Sequence, residues 1–210
     1  MLHTRSCAVS SIVGHVLGIG DRHSHNILMH QKTGEVVYID FGIVFEQGKC
    51  LATPETIPFR LTRDIVDGFG PSGTEGVFRS SAEATMNVLR ENSGALLTIL
   101  SAVVSDPLYK WSVNPVKAQQ RRYDEDDKMF IGANNDGQYS EEQNYDSMAR
   151  ENQNDAATRA MSKISQKLQG YEDGTAGERH NVMGQVQLLI NSARDPDNLC
   201  ALFVGWCPWL

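Results

Sequence analysis

Gly20-Asp21-Arg22-His23-Ser24-His25-Asn26, followed by Asp40-Phe41-Gly42, decides how the rest of this chain is read. Asp21 and Asn26 stand five positions apart, and a further acid, Asp40, opens Asp-Phe-Gly. Between them, Ile27-Leu28-Met29-His30 and Val36-Val37-Tyr38-Ile39 read as short strands, with Lys32-Thr33-Gly34 as the turn. A hairpin of that length returns Asp40 to Asn26 at one end. A charged oxygen and a neutral one then share a common point, which suits a hard, oxygen-seeking Mg²⁺.

Phosphoryl transfer is the chemistry that uses this order of groups. It needs an in-line nucleophile and cations spread over the phosphate oxygens, and little covalent work from the protein. Asp21 is placed to accept or orient the proton of a substrate hydroxyl. Alone, Asp-Phe-Gly often marks only a turn, but the Asp–Asn spacing, the hairpin and Asp-Phe-Gly in sequence are specific together. Asp21, His23 and His25 invite a zinc reading, yet no Cys or further His stands at ligand spacing. Gly18-Ile19-Gly20 lacks the third glycine of a phosphate loop and reads as a helix stop and turn.

With Arg-His following the Asp, the stretch from Gly20 to Asn26 resembles the phosphatidylinositol 3-kinase-like superfamily. Phe45-Glu46-Gln47-Gly48-Lys49 and the run from Thr53-Pro54-Glu55-Thr56 through Arg63-Asp64-Ile65-Val66-Asp67-Gly68 extend the likeness to the related protein kinases. The tail, from Gly184-Gln185-Val186 through Asp195-Pro196 to Leu202-Phe203, Gly205-Trp206 and Trp209, resembles the FATC segment that ends these large kinases. The likeness spans about residues 4–117 and 178–210.

The resemblance implies an α+β, mostly helical fold: a kinase large lobe with a short β-hairpin, a disordered linker and a helical FATC tail. It divides the chain into a catalytic large lobe at 1–117, with a catalytic loop at 20–26 and an activation loop at 40–62. A polar regulatory linker with one helix follows at 118–177, then the FATC domain at 178–210. Carried over by position, Asp21 is the catalytic base and His23 an extra catalytic-loop group near the transferred phosphate. Asn26 and Asp40 hold Mg²⁺ (or Mn²⁺), and Leu28 and Ile39 form the apolar floor under the adenine of ATP. The family further implies protein substrates bearing Ser or Thr followed by Gln, and a nuclear role in DNA-damage signalling. Its implied partners are amino-terminal helical repeats and a sensor complex for broken DNA.

A phosphoinositide headgroup wants a basic activation loop. Between Phe41 and Arg60 the only basic residues are Lys49 and Arg60, offset by Glu46 and Glu55, which favours protein over lipid. The net charge of −7 argues against general affinity for a nucleic acid backbone. Hydrophobic residues at 40% allow a real core. Cys7, Cys50, Cys200 and Cys207 have no paired metal spacing and suit a reducing compartment; free thiols are expected, although Cys200 and Cys207 are near enough to consider a bridge. No run approaches the roughly 18 apolar residues of a membrane span, and Met1-Leu2-His3-Thr4-Arg5 is not a secretory signal.

Periodicity predicts a helix over 5–18 with Val9, Ile12, Val13, Val16 and Leu17 on one face. Thr62 caps a helix carrying Ile65, Val66 and Phe69. Val77, Phe78, Met86, Val88 and Leu89 fit the next helix, and Leu96, Leu97, Ile99, Leu100, Val103 and Val104 the one after, with Trp111 as a core anchor beyond it. Residues 131–147 are too polar to order themselves. A helix resumes near Ser147 and runs to Leu168, and a last one carries Val182, Val186, Leu189, Ile190 and Ala193. The apolar terminus is expected to dock on its own lobe; a membrane-surface anchor or a partner-binding plug are the other readings.

No Gly-rich loop with a following strand Lys precedes Asp21 within this chain. The chain is therefore expected to be the carboxy-terminal part of a larger kinase and inactive without a small lobe. The alternative is a short non-catalytic binding module or competitor acting through its tail.

Overall fold

The computed structural model describes residues 1–104, 145–172 and 177–208, with side chains from 156 onward in the second of these segments. The expected linker before residue 145, Trp111, Trp209 and Leu210 lie outside the described residues. Among the described residues the architecture is mostly helical with one antiparallel β-hairpin, as expected.

Helix α1 spans Leu2–Leu17 and turns Cys7, Ala8, Ser11, Ile12, His15 and Val16 into the core. That stripe differs from the expected one: Val9 is exposed, while Ser11 and His15 are buried. Small residues win the inner face because helix α3, Val77–Glu91, crosses α1 closely and sets Phe78, Ala82 and Met86 against it. Val88, expected inside, is exposed. Between α1 and α3 lie strands β1, Ile27–Met29, and β2, Val36–Tyr38, and a short helix α2, Arg63–Asp67. Thr62 occupies the cap position of α2, but its hydroxyl bonds the Asp64 carboxylate rather than a backbone N–H. Phe69 follows α2 and stacks on Phe78 with ring centres 5.0 Å apart.

Helix α4, Ser93–Val104, buries Leu100 and Val104 and leaves Ile99 and Val103 exposed. Helix α5, Tyr145–Gln169, brings Ala160, Ile164 and Leu168 to the core. Helix α6, Val182–Arg194, buries Val186, Leu189, Ile190 and Ala193 on the expected face. Asn181 caps α6 by accepting the Gly184 N–H at 2.8 Å. Asp195-Pro196 ends α6 and also starts a short helix α7, Pro196–Cys200, because the Asp195 carboxylate accepts the N–H groups of Asp197 and Asn198. The four cysteines are free thiols, and burial pushes Cys7 up to about 12.

The tail docks on the lobe. Leu202 and Trp206 are buried. The Arg60 guanidinium donates to the carbonyls of Trp206, at 2.5 Å, and Cys207, at 3.0 Å, and lies 4.4 Å from the Trp206 ring centre. A desolvated cation–π contact of this kind contributes about 2 kcal/mol. Among the described residues no helix is long and apolar enough to cross a membrane.

Gly18 ends α1 in the left-handed region, φ 62°, and its N–H returns to the helix carbonyls. A Cβ there would stand 2.4 Å from the Glu46 backbone nitrogen. Gly18→Ala is expected to lower unfolding free energy by more than about 1 kcal/mol, since both the φ and the contact forbid a side chain. Urea denaturation of the variant measures this; unchanged stability would contradict it.

Candidate phosphoryl-transfer site

The hairpin register pairs Ile27 with Tyr38, Leu28 with Val37 and Met29 with Val36. The Ile39 N–H then donates to the Asn26 carbonyl at 3.1 Å, so the segments carrying Asn26 and Asp40 leave the hairpin side by side. With a side-chain period of two, Leu28, Val37 and Ile39 share one face. That face is open to solvent: the three are 48%, 50% and 37% exposed. Tyr38, on the opposite face, packs toward α1 near Gly14.

Asp21 and Asp40 both adopt left-handed backbone, with φ of 58° and 57°. Asp tolerates this region better than most residues but is strained in it relative to Gly. Asn26 is buried and donates its amide to the Asp21 carbonyl at 2.9 Å, with the Asp21 carboxylate 3.5 Å away. With the amide N–H committed inward, the Asn26 side-chain oxygen is left as a donor to an ion. Asp40 accepts the Gly42 N–H through one oxygen at 3.1 Å, and its side chain is exposed. The His23 ring lies 3.8 Å from the Asp21 carboxylate and beside His25, with ring centres 5.6 Å apart. Of these site residues Leu28 lies within a strand and Asn26 ends a one-turn helix, Ser24–Asn26; the others sit on loops or just beyond a strand.

Arg22 holds those loops together. It is 3% exposed and sends Nε to the Gly20 carbonyl at 2.8 Å. Its remaining nitrogens reach the carbonyls of Asn26, Ile39, at 2.7 Å, and Asp40. The same guanidinium lies 5.5 Å from the Tyr38 ring centre and 5.9 Å from that of Phe41. Burial pulls the Arg22 pKa down, while Tyr38, Asp21, Asp40 and Glu55 pull it back up. One buried cation thus ties the Asp21 loop, the end of β1 and the Asp-Phe-Gly turn into a unit.

Below the turn, Phe45 and Glu46 bond to the Leu17 and Gly18 carbonyls, each at 3.0 Å, and both residues have positive φ. The Glu46 carboxylate meets Lys49 at 2.5 Å and Lys167 of α5. Burial alone would raise the Glu46 pKa, but the two lysines overcome it and hold the carboxyl at about 2. Lys167 itself is buried and also donates to the His15 carbonyl at 2.5 Å.

The sequence reading named Asp21, His23, Asn26, Leu28, Ile39 and Asp40. The structure brings Asp21, His23 and Asn26 together, sets the Asp40 backbone on the same Arg22, and lays Leu28 and Ile39 on one open face beside Asn26. It adds Arg22, Glu46, Glu55 and Lys167, which that reading did not single out. Lys167 could have been found: it stands seven residues after Ala160 and three after Ile164, on the apolar stripe of α5. Glu55, in Thr-Pro-Glu-Thr, carries no local signal of its role.

A cleft of about 370 Å³ opens beside Asp21 and His23, walled by Leu51, Thr53 and Glu55 on one side and Leu202, Phe203 and Trp206 of the tail on the other. Among the described residues, no group of three or more His, Cys, Asp or Glu is set to hold a metal unaided. The Asn26 and Asp40 oxygens instead fit a Mg²⁺ that keeps waters and phosphate oxygens for its remaining positions.

An acid beside a histidine, a buried amide and an Asp-Phe-Gly turn on a helical lobe are an arrangement suited to the large lobe of a kinase fold. The chain belongs to the phosphatidylinositol 3- and 4-kinase family, whose model matches residues 2–113, with a FATC domain at residues 181–210. It is 48% identical over 210 residues to serine/threonine-protein kinase ATM of Arabidopsis thaliana, covering 100% of this chain and 5% of that protein. It is 46% identical over 212 residues to serine-protein kinase ATM of Sus scrofa, covering 100% of this chain and 7% of that protein. The open conformation of CtTel1 superposes with a TM-score of 0.74 at 40% identity, over 100% of this chain and 6% of that one. The chain therefore spans only a small part of the length of these relatives.

Replacing Arg22 by Lys keeps the charge but loses the planar fork. Hydrogen bonds from a charged donor contribute about 1.5–3 kcal/mol each, so Arg22→Lys is expected to cost at least about 2 kcal/mol in chemical denaturation; a smaller change would sink the role given to it. Glu46 makes a second prediction. A carboxyl at about 2, below its ordinary 4.5, stabilises the fold fully above pH 4.5, and that contribution is lost as pH falls through about 2. The stability difference between the parent chain and Glu46→Gln should shrink across that window, as unfolding free energy measured against pH will show.

Proposed function

We propose that this chain supplies the large lobe and tail of a serine/threonine protein kinase that transfers the γ-phosphoryl group of ATP to Ser or Thr followed by Gln. Asp21 acts as the base for the acceptor hydroxyl. His23, next to it, lies near the transferred phosphate. Asn26 and Asp40 hold Mg²⁺, and Leu28 with Ile39 floor the adenine. The bound ion would neutralise charge on the phosphates; the chain's own part is to fix the oxygens that hold it and to orient the hydroxyl.

The observation that carries this reading is the convergence on Arg22 of the three backbone segments bearing Asp21, Asn26 and Asp40. Two further observations favour a protein acceptor over a lipid. Lys49 is engaged by Glu46, and Arg60 is buried under Trp206, so the two basic residues of the activation loop are committed to internal partners. The relatives are named as serine/threonine-protein kinases; a nuclear role in DNA-damage signalling, with recruitment through regions beyond the matched segment, is part of the proposal. The small lobe that would cover the phosphates comes from outside these residues, and the 210-residue chain by itself is expected to be inactive.

The test is to place this chain in the matching segment of the Arabidopsis relative and supply ATP, Mg²⁺ and a Ser-Gln peptide or phosphoinositide vesicles. Phosphorylation of the peptide, abolished by Asp21→Ala and by Asp40→Ala, is expected. Lipid phosphorylation lost in Asp40→Ala, or activity in the isolated chain, would overturn the reading.

A further inference from the structure

We infer that Glu55 is a positioning residue for Asp21, the proposed base. This rests on the reading of Asp21 given above.

Asp21 sits at φ 58°, a conformation that a non-glycine residue keeps only when its surroundings hold it. Its N–H is the handle. Both oxygens of the Glu55 carboxylate stand 2.9 Å from the Asp21 backbone nitrogen. An ionised acceptor on a backbone N–H makes one of the stronger hydrogen bonds available to a protein. No other hydrogen bond to the Asp21 N–H is present among the described residues.

The carboxylate is confined from two sides. A Cβ added at Gly20 would meet the Glu55 carboxylate oxygen at 2.6 Å, and one at Gly48 would meet it at 2.5 Å. Two glycines therefore form a slot that any side chain would close. The rest of Glu55 is anchored through its own N–H, which donates to the Gly48 carbonyl at 3.1 Å, while Gly20 is pinned to Ile43 at 2.9 Å. Burial raises the Glu55 pKa, and the Asp21 N–H opposes that rise.

The docked tail reaches the same stretch through Trp206. Trp206 is in turn fixed by Arg60, which donates to its carbonyl and stacks on its ring. Arg60 and Glu55 lie on the same stretch between the Asp-Phe-Gly turn and α2. Trp206 thus holds that stretch through Arg60. Trp206 and Glu55 both wall the cleft beside Asp21. Undocking the tail would open that cleft.

The test uses Glu55→Ala and Glu55→Gln in the full 210-residue chain and in the same chain carried by the Arabidopsis kinase. In the 210-residue chain, amide exchange at Asp21 should quicken in both variants, more in Glu55→Ala. In the hybrid kinase, Glu55→Ala should lower kcat for a Ser-Gln peptide about 100-fold with KM for ATP unchanged, the cost of a misplaced reacting group. Glu55→Gln retains one acceptor oxygen and should fall between Glu55→Ala and the parent. A kcat for Glu55→Ala within roughly twofold of the parent, or a change confined to KM for ATP, overturns the inference. If the parent hybrid does not phosphorylate the peptide, that failure belongs to the proposed function; unaltered Asp21 exchange in Glu55→Ala would still overturn the role of Glu55.

Discussion

The buried guanidinium of Arg22 is the constraint on which the rest of the site depends. A planar cation with five donors is taken from water and repaid by carbonyls of Gly20, Asn26, Ile39 and Asp40. Burying a charge is unfavourable unless its hydrogen-bonding capacity is met. That requirement works in reverse as a specification: the loops at 20, 26 and 39–40 must converge, or the charge is stranded. Two strands of three residues could not define such a meeting point by themselves.

The same device recurs at Arg60 and Lys167. Arg60 is 2% exposed and satisfied by tail carbonyls; Lys167 is 5% exposed and satisfied by the His15 carbonyl and Glu46. Each joins segments far apart in sequence: the activation stretch to the tail, and α5 to the end of α1. Apolar packing of α1, α3, α5 and α6 makes the platform. The buried cations then fix loops that contribute little apolar surface and would otherwise be only loosely determined.

Much of this was legible in the sequence, for reasons that differ by element. The hairpin and its closure on Asn26 and Asp40 followed from two β-rich runs and a turn of fixed length. The inner face of α6 followed from its helical period. The inner face of α1 did not, because Ser11, Gly14 and His15 are buried where a hydrophobic count favours Val9. What decides that face is the close approach of α3, a tertiary fact. The roles of Arg22 and Glu55 were equally hidden: a charged residue's partners here are backbone atoms, and backbone atoms leave no mark on composition or periodicity. Lys167 was half visible, as a charge on an apolar stripe.

Anchoring through backbone also explains how a site so rich in polar side chains keeps them available. Had Asp21, Asn26 and Asp40 been fixed by ion pairs through their own carboxylates and amide oxygen, their positions would be secure and their chemistry spent. Arg22 instead takes only main-chain oxygens, and Glu55 takes the main-chain N–H of Asp21. Both aspartates are thereby forced into left-handed backbone, a strain that tertiary contacts sustain. Their side-chain oxygens remain directed by the backbone yet largely uncommitted. A group meant to meet an ion or a proton needs that combination: its frame must be rigid before the ligand arrives, and its reactive atoms must not already be satisfied.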